Sequence, residues 1–116
     1  MNFRQGDKVK INFPFSDDPS KSKLRPATII SNSDSNKLDA DLILLPITTT
    51  IRITPFSFLL DNSFLSRSLP KDSEIRCNKI FTLRKSLIQG KVSSINDKNK
   101  IEEISNLVFE AIKTED

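Results

Sequence analysis

Arg25 and Thr48 are the two side chains whose types and surroundings suit chemistry on a phosphodiester. Arg25 sits within Lys21-Ser-Lys-Leu-Arg-Pro-Ala-Thr-Ile-Ile-Ser31, where a cationic, polar segment meets a proline and then a β-branched apolar run. A guanidinium stays protonated and presents five donors in a planar fork, a better match to a phosphate than the point charge of lysine. Pro26 fixes its own φ and biases Arg25 toward extended geometry, which partly sets the direction of its side chain. Thr48 follows Asp41-Leu-Ile-Leu-Leu-Pro-Ile47, so a hydroxyl donor is delivered at the end of an apolar stretch. A fixed cation beside a hydroxyl donor would stabilise the phosphorane formed when a ribose 2′-OH attacks its own phosphodiester. That reaction needs no metal, because the nucleophile belongs to the substrate.

Composition narrows the alternatives. The sequence contains no histidine, which excludes histidine-based nucleophilic triads and a paired-imidazole ribonuclease mechanism and disfavours most transition-metal sites. Chemistry must then rest on Arg, Lys, Asp, Glu, Ser or Thr, with no cofactor expected. Cys77 is the lone cysteine, suited to a small buried hydrophobe in a reducing compartment rather than to a disulfide. Net charge is +3, compatible with a polyanionic partner. Trp and Tyr are absent, so any stacking on bases falls to the eight Phe residues. The longest apolar run, Leu42 to Ile47, is far too short to span a bilayer, and the N-terminal residues lack a secretory pattern. A single cytoplasmic domain over residues 1–116, without membrane association, is the expectation.

Elements able to hold Arg25 and Thr48 follow from periodicity. Asp7 to Phe15 alternates polar and apolar residues, which predicts a strand with Val9, Ile11 and Phe13 facing the core. Ser16 to Lys23 has the composition of a mobile loop that could fold over a ligand, followed by a second strand over Ala27 to Ser31 and a turn over Asn32 to Lys37. Asp41 to Ile47 reads as a strand buried on both faces, and Ile51 to Leu60, broken by Pro55, as an edge or bulged strand. Asp61 to Lys71 reads as a loop. Ser73 to Lys79 alternates with Ile75 and Cys77 inward and Glu74, Arg76 and Asn78 on a ligand-facing side. Ile80 to Ile88 predicts a turn or short helical piece, Gly90 to Ile95 a last strand. From an N-cap at Asn96 or Asp97, Ile101, Ile104, Leu107, Val108, Ala111 and Ile112 form the apolar stripe of a closing helix. The expected fold is mainly β with α: a small, strongly curved antiparallel sheet or partly open barrel with a C-terminal helix. Antiparallel pairing of the second and third strands would bring Arg25 and Thr48 to one rim.

At this point the sequence resembles the MazF/PemK family of toxins from bacterial toxin-antitoxin pairs. The resemblance is carried by Gly6-Asp7-Lys8-Val9, Phe13-Pro14-Phe15-Ser16-Asp17, Lys23-Leu24-Arg25-Pro26-Ala27, Ile29-Ile30-Ser31 and Pro46-Ile47-Thr48. It continues through Ser73-Glu74-Ile75-Arg76, Thr82-Leu83-Arg84-Lys85-Ser86-Leu87-Ile88 and Gly90-Lys91-Val92. It implies an SH3-like barrel, a homodimer and a metal-independent endoribonuclease that cuts single-stranded RNA, leaving a 2′,3′-cyclic phosphate and a 5′-hydroxyl. It also implies a cognate antitoxin, whose acidic, disordered tail would cover Arg25. The family's arginine before proline matches Arg25, and its threonine after Pro-Ile matches Thr48. Arg25 would clamp the phosphate, and Thr48 would donate to a non-bridging oxygen. Neither the residues nor the resemblance assigns the group that removes the 2′-OH proton.

Further RNA contacts are expected from Ser16, Lys21, Lys23 and Thr49, with Arg76, Lys79 and Arg84 on the backbone and Phe15 and Phe56 stacking a splayed base. Leu24 fills a slot that is usually polar in the family, and the Thr48-Thr49-Thr50 run offers three hydroxyls. Two other readings use the same barrel: a gyrase poison resembling CcdB, and a nucleic-acid-binding barrel without catalysis. The first works through a tryptophan near the end of the terminal helix, where this chain has Ile112-Lys113-Thr114-Glu115-Asp116. Retention of both Arg25 and Thr48 argues against the second.

Overall fold

In the computed structural model, the backbone is described for residues 2–15 and 18–116, and side chains for residues 2–12 and 23–116. The strands are β1 (Asp7–Phe15), β2 (Asp18–Ile29), β3 (Asp41–Thr48), β4 (Ser57–Leu60), β5 (Ser73–Arg76), β6 (Phe81–Arg84) and β7 (Ile88–Ser94). Two helices join them: α1 (Ser33–Leu38) and α2 (Lys98–Ile112). All recorded strand pairs are antiparallel, in the order β4-β5-β3-β2-β1-β7, with β6 also on β3.

β3 is the hub. One of its edges pairs with β2, while the other pairs with β6 over Asp41–Leu44 and with β5 at Ile47 and Thr48. Its continuous apolar run is needed because both faces are covered. Leu42 and Leu44 join Val9, Ile11, Ala27 and Ile29 in one cluster, packed by Phe3, Phe81, Leu83 and Ile88. Leu45 and Ile47 face the other way, into a cluster with Phe58, Phe64, Ile75, Cys77 and Ile104 of α2. Asp97 caps α2, its carboxylate accepting the Asn99 N–H at 2.9 Å. Among the described residues no helix is long and apolar enough to cross a membrane.

Several boundaries differ from those the periodicity predicts. Asp18–Lys23 belongs to β2 rather than to a loop, with Phe13 opposite Lys23 and Pro14 opposite Ser22. Arg25 therefore stands inside a strand, opposite Ile11, and not at a loop-to-strand junction. Ser16 and Asp17, the start of the expected gate, lie outside the described residues. The expected turn at Asn32 to Lys37 is α1: the Asn32 side chain accepts the Ser35 N–H at 3.0 Å and starts a helical turn from turn-forming residues. Only Ser57–Leu60 of the expected strand at Ile51 to Leu60 pairs, at the sheet edge where Pro55 does no harm. Asp61 to Lys71 contains a 3-10 turn at Asn62–Phe64, and Leu65 bridges to Ile95. Ile80 to Ile88 resolves into β6, a 3-10 turn at Lys85–Leu87 and the first residue of β7. Ile112 is 65% exposed, so the buried stripe of α2 ends before it.

Cys77 is fully buried. Burial, reinforced by the nearby Glu74 charge, pushes its thiol up to about 12. We expect the native protein to resist alkylation by iodoacetamide at pH 8, with one equivalent incorporated after denaturation; rapid labelling of the native state would contradict this packing.

Candidate active site

Strand register places Arg25 and Thr48 at the same end of one ladder. Recorded pairs between β2 and β3 are Ala27 with Pro46, Thr28 with Leu45 and Ile29 with Leu44. The recorded pairing ends at Ala27 and Pro46, and Arg25 and Thr48 each lie two residues beyond that last pair, at the same end of the β2–β3 ladder, so that a continued register would set them opposite each other. On its far side Arg25 faces Ile11, which in turn faces Ile88. Thr48 faces Glu74 of β5, and Glu74 faces Leu59 of β4. Ile88, Ile11 and Arg25 are thus in register from β7 to β2, and Thr48, Glu74 and Leu59 from β3 to β4; a continued β2–β3 register would join the two into one row.

The local chemistry differs along that row. Arg25 is exposed and Thr48 half-buried. The Thr50 N–H donates to Thr48 Oγ1 at 3.1 Å, the local backbone contact common for threonine at a strand end. Because the hydroxyl oxygen accepts there, its own proton is left to donate elsewhere. Glu74, assigned by alternation to a wet, ligand-facing side, is instead fully buried. The segment from Thr49 to Phe56 covers it: Glu74 Oε1 accepts from the Arg52 N–H and, at 3.4 Å, from the Ile53 N–H. Arg76, the next residue on that face, donates from Nη2 to the Thr50 carbonyl at 3.3 Å. Ile53 is held at φ 50, a left-handed conformation that costs a β-branched residue about 1–3 kcal/mol.

Burial alone would raise the Glu74 carboxyl. The neighbouring Ser57 hydroxyl, the hydrogen bonds from the Arg52 and Ile53 N–H groups and the Arg76 charge outweigh it and hold the group below its ordinary value. A carboxylate depressed on folding contributes stability that is complete above its unfolded pKa, about 4.3, and is lost as pH falls through the folded value. The stability gap between the wild type and Glu74→Gln, measured by urea unfolding, is therefore expected to narrow as pH drops below about 4.5. A gap that widens on acidification would reverse the sign of this assignment.

The other sequence-predicted contacts are spread unevenly. Lys23 is exposed on β2, two residues before Arg25 and hence on its face. Thr49 is exposed immediately beyond Thr48. Phe56 is half-buried and packs against the cluster beside α2, with its carbonyl accepting the Cys77 N–H at 2.9 Å. Lys79 is exposed in the turn after β5. Arg84 lies opposite Asp41 and within 3.9 Å of its carboxylate. That is the far end of β3 from Thr48, about 20 Å away at strand rise. The side chains of Phe15, Ser16 and Lys21 lie outside the described residues. Lys8 and Lys10, which their alternation placed merely on a wet face, line a shallow groove of about 280 Å³ with Leu24, Arg25, Pro26 and Val92. Partial burial, and then the Lys10 charge, lowers the Lys8 ammonium.

Comparison with models of known protein families matches residues 4–112 to the PemK-like, MazF-like toxins of type II toxin-antitoxin systems. The chain belongs to that family. The match spans the whole row of paired strands, so Arg25, Thr48 and Glu74 all fall within the toxin's shared fold. No curated protein matches the sequence significantly. Solved structures agree on the fold. An endoribonuclease in complex with its cognate antitoxin, from a mycobacterial species, superposes with a TM-score of 0.78 at 18% identity, covering 98% of each chain. A second mycobacterial endoribonuclease gives 0.75 at 20% identity, over 97% of this chain and 93% of the other. A MazE-MazF crystal structure from Deinococcus radiodurans gives 0.76 at 15% identity, over 97% and 98%.

Proposed function

We propose that this toxin is an endoribonuclease that cuts single-stranded RNA by attack of a ribose 2′-OH on the adjacent phosphodiester. The observation that carries this reading is that Arg25 and Thr48 each lie two residues beyond the last β2–β3 pair, at the same end of that ladder, in a chain of this family. A guanidinium there clamps the scissile phosphate and offsets the charge that builds on it. The Thr48 hydroxyl, already accepting from Thr50, donates to a non-bridging oxygen. The products are a 2′,3′-cyclic phosphate and a 5′-hydroxyl, with no metal in the reaction. Lys23, on the same face of β2 as Arg25, leads the RNA backbone toward it. Solved endoribonucleases of this fold, one in complex with its cognate antitoxin, support both the activity and a cognate antitoxin as the partner that silences it. The toxin would act in the cytoplasm as a homodimer.

Incubating the purified protein with a mixed-sequence RNA in excess EDTA tests the proposal. Discrete fragments at recurring sequences are expected. Intact RNA after incubation with a folded, dimeric protein would overturn it.

A further inference from the structure

The part of the row not used by the reaction is Glu74, and the contacts around it are unusual for a sheet residue. Its carboxylate is fully buried, directly opposite Thr48, and its Oε1 accepts two successive backbone N–H groups, those of Arg52 and Ile53. Among the described residues its Oε2 has no hydrogen-bond partner, and neither does the buried Nε of Arg76. Buried, incompletely satisfied charges are costly, so their presence calls for a task that an apolar pair would not perform. The geometry points to Glu74 as the positioning residue for Thr48: from β5 it pins the segment after Thr48 and thereby fixes where the Thr48 hydroxyl stands.

The connection is continuous. Glu74 holds Arg52 and Ile53, Arg76 holds the Thr50 carbonyl, and the Thr50 N–H holds Thr48 Oγ1. Without the carboxylate, Ile53 has no reason to remain at positive φ, and Ile53 is 72% exposed, so packing does not hold it there. The segment would relax and the Thr50 N–H would shift relative to Thr48. Glu74 itself is too deeply covered to meet RNA, so its effect reaches the reaction only through Thr48. This inference rests on the RNA-cleaving reading above.

The test is steady-state cleavage of one short RNA by the full-length wild type, Glu74→Leu, which leaves no acceptor for the Arg52 and Ile53 N–H groups, Ile53→Gly and the double variant, with each fold checked by circular dichroism. Glu74→Leu is expected to lower kcat by on the order of 10- to 100-fold, as small misplacements of catalytic groups do, with KM changed less than about threefold. Glycine adopts positive φ without strain, so Ile53→Gly in the Glu74→Leu background should recover at least about a third of the lost activity on a logarithmic scale. A purely structural glutamate would show no such rescue. Where Glu74→Leu does not fold, Ser57→Ala replaces it: the Thr54 N–H loses its bond to Ser57 Oγ, which loosens the same segment, so kcat should fall several-fold at unchanged KM. Unchanged kcat in the folded variants, or a loss that glycine at 53 leaves untouched, overturns the assignment while the cleavage reading stands. A wild type that cuts no RNA removes the cleavage reading, and this inference with it.

Discussion

Replacing Arg25 by alanine is expected to reduce RNA cleavage by at least about 10²- to 10³-fold, the usual cost of losing one preorganised group that stabilises developing charge. Arg25 is exposed, and its strand pairing with Ile11 is made by backbone groups that alanine retains. The variant should therefore fold, and its unfolding midpoint should stay close to that of the wild type. Lysine at the same position should restore only part of the rate, since a point charge lacks the planar fork. Single-turnover cleavage with saturating enzyme separates lost chemistry from weaker binding. An Arg25→Ala protein that cuts RNA at the wild-type rate would leave the site without its cation.

The second large effect is on stability. Leu44 is fully exposed to neither solvent nor loop: it is 0% accessible and sits on β3 between Ile29 of β2 and Phe81 of β6. Leu44→Ala removes buried methyl groups from a cluster built by three strands, at a cost of about 2–5 kcal/mol. For a domain of this size that lowers the melting temperature by about 10 °C or more. The same strand carries Thr48 four residues on, so activity should be lost at temperatures where the wild type is still active. A Leu44→Ala melting temperature within 2–3 °C of wild type would mean that the cluster can close over the cavity, which close packing argues against.

What could be read in the sequence, and what could not, divides along physical lines. The run from Asp41 to Ile47 identified β3 because a strand covered on both faces must be apolar throughout, and the spacing of Ile101, Ile104 and Leu107 identified α2. Asp18–Lys23 carries no such signal. Its strand is held by backbone pairing to β1, which any polar residue can supply, so Pro, Ser and Lys there imitate a loop. Asn32 misled in a related way, because the side chain that closes a turn also caps a helix. Alternation placed Glu74 on the correct face of β5, opposite Ile75. It could not show that the segment from Thr49 to Phe56 folds back over that face, since that depends on the hydrogen bonds Glu74 itself accepts. Arg25 and Thr48 stood out through residue type and family resemblance, while their placement at the same end of the β2–β3 ladder required the register.

The most direct measurement replaces a single ribose. Once the cut position in a short RNA has been mapped, the nucleotide on the 5′ side of the scissile phosphate is changed to its 2′-deoxy form, and cleavage of the two oligonucleotides is compared. Attack by the substrate's own 2′-OH predicts that the deoxy-substituted RNA is not cut at that bond, while the parent RNA yields a 2′,3′-cyclic phosphate. Cleavage of the deoxy-substituted bond at the parent rate would contradict the mechanism assigned to Arg25 and Thr48.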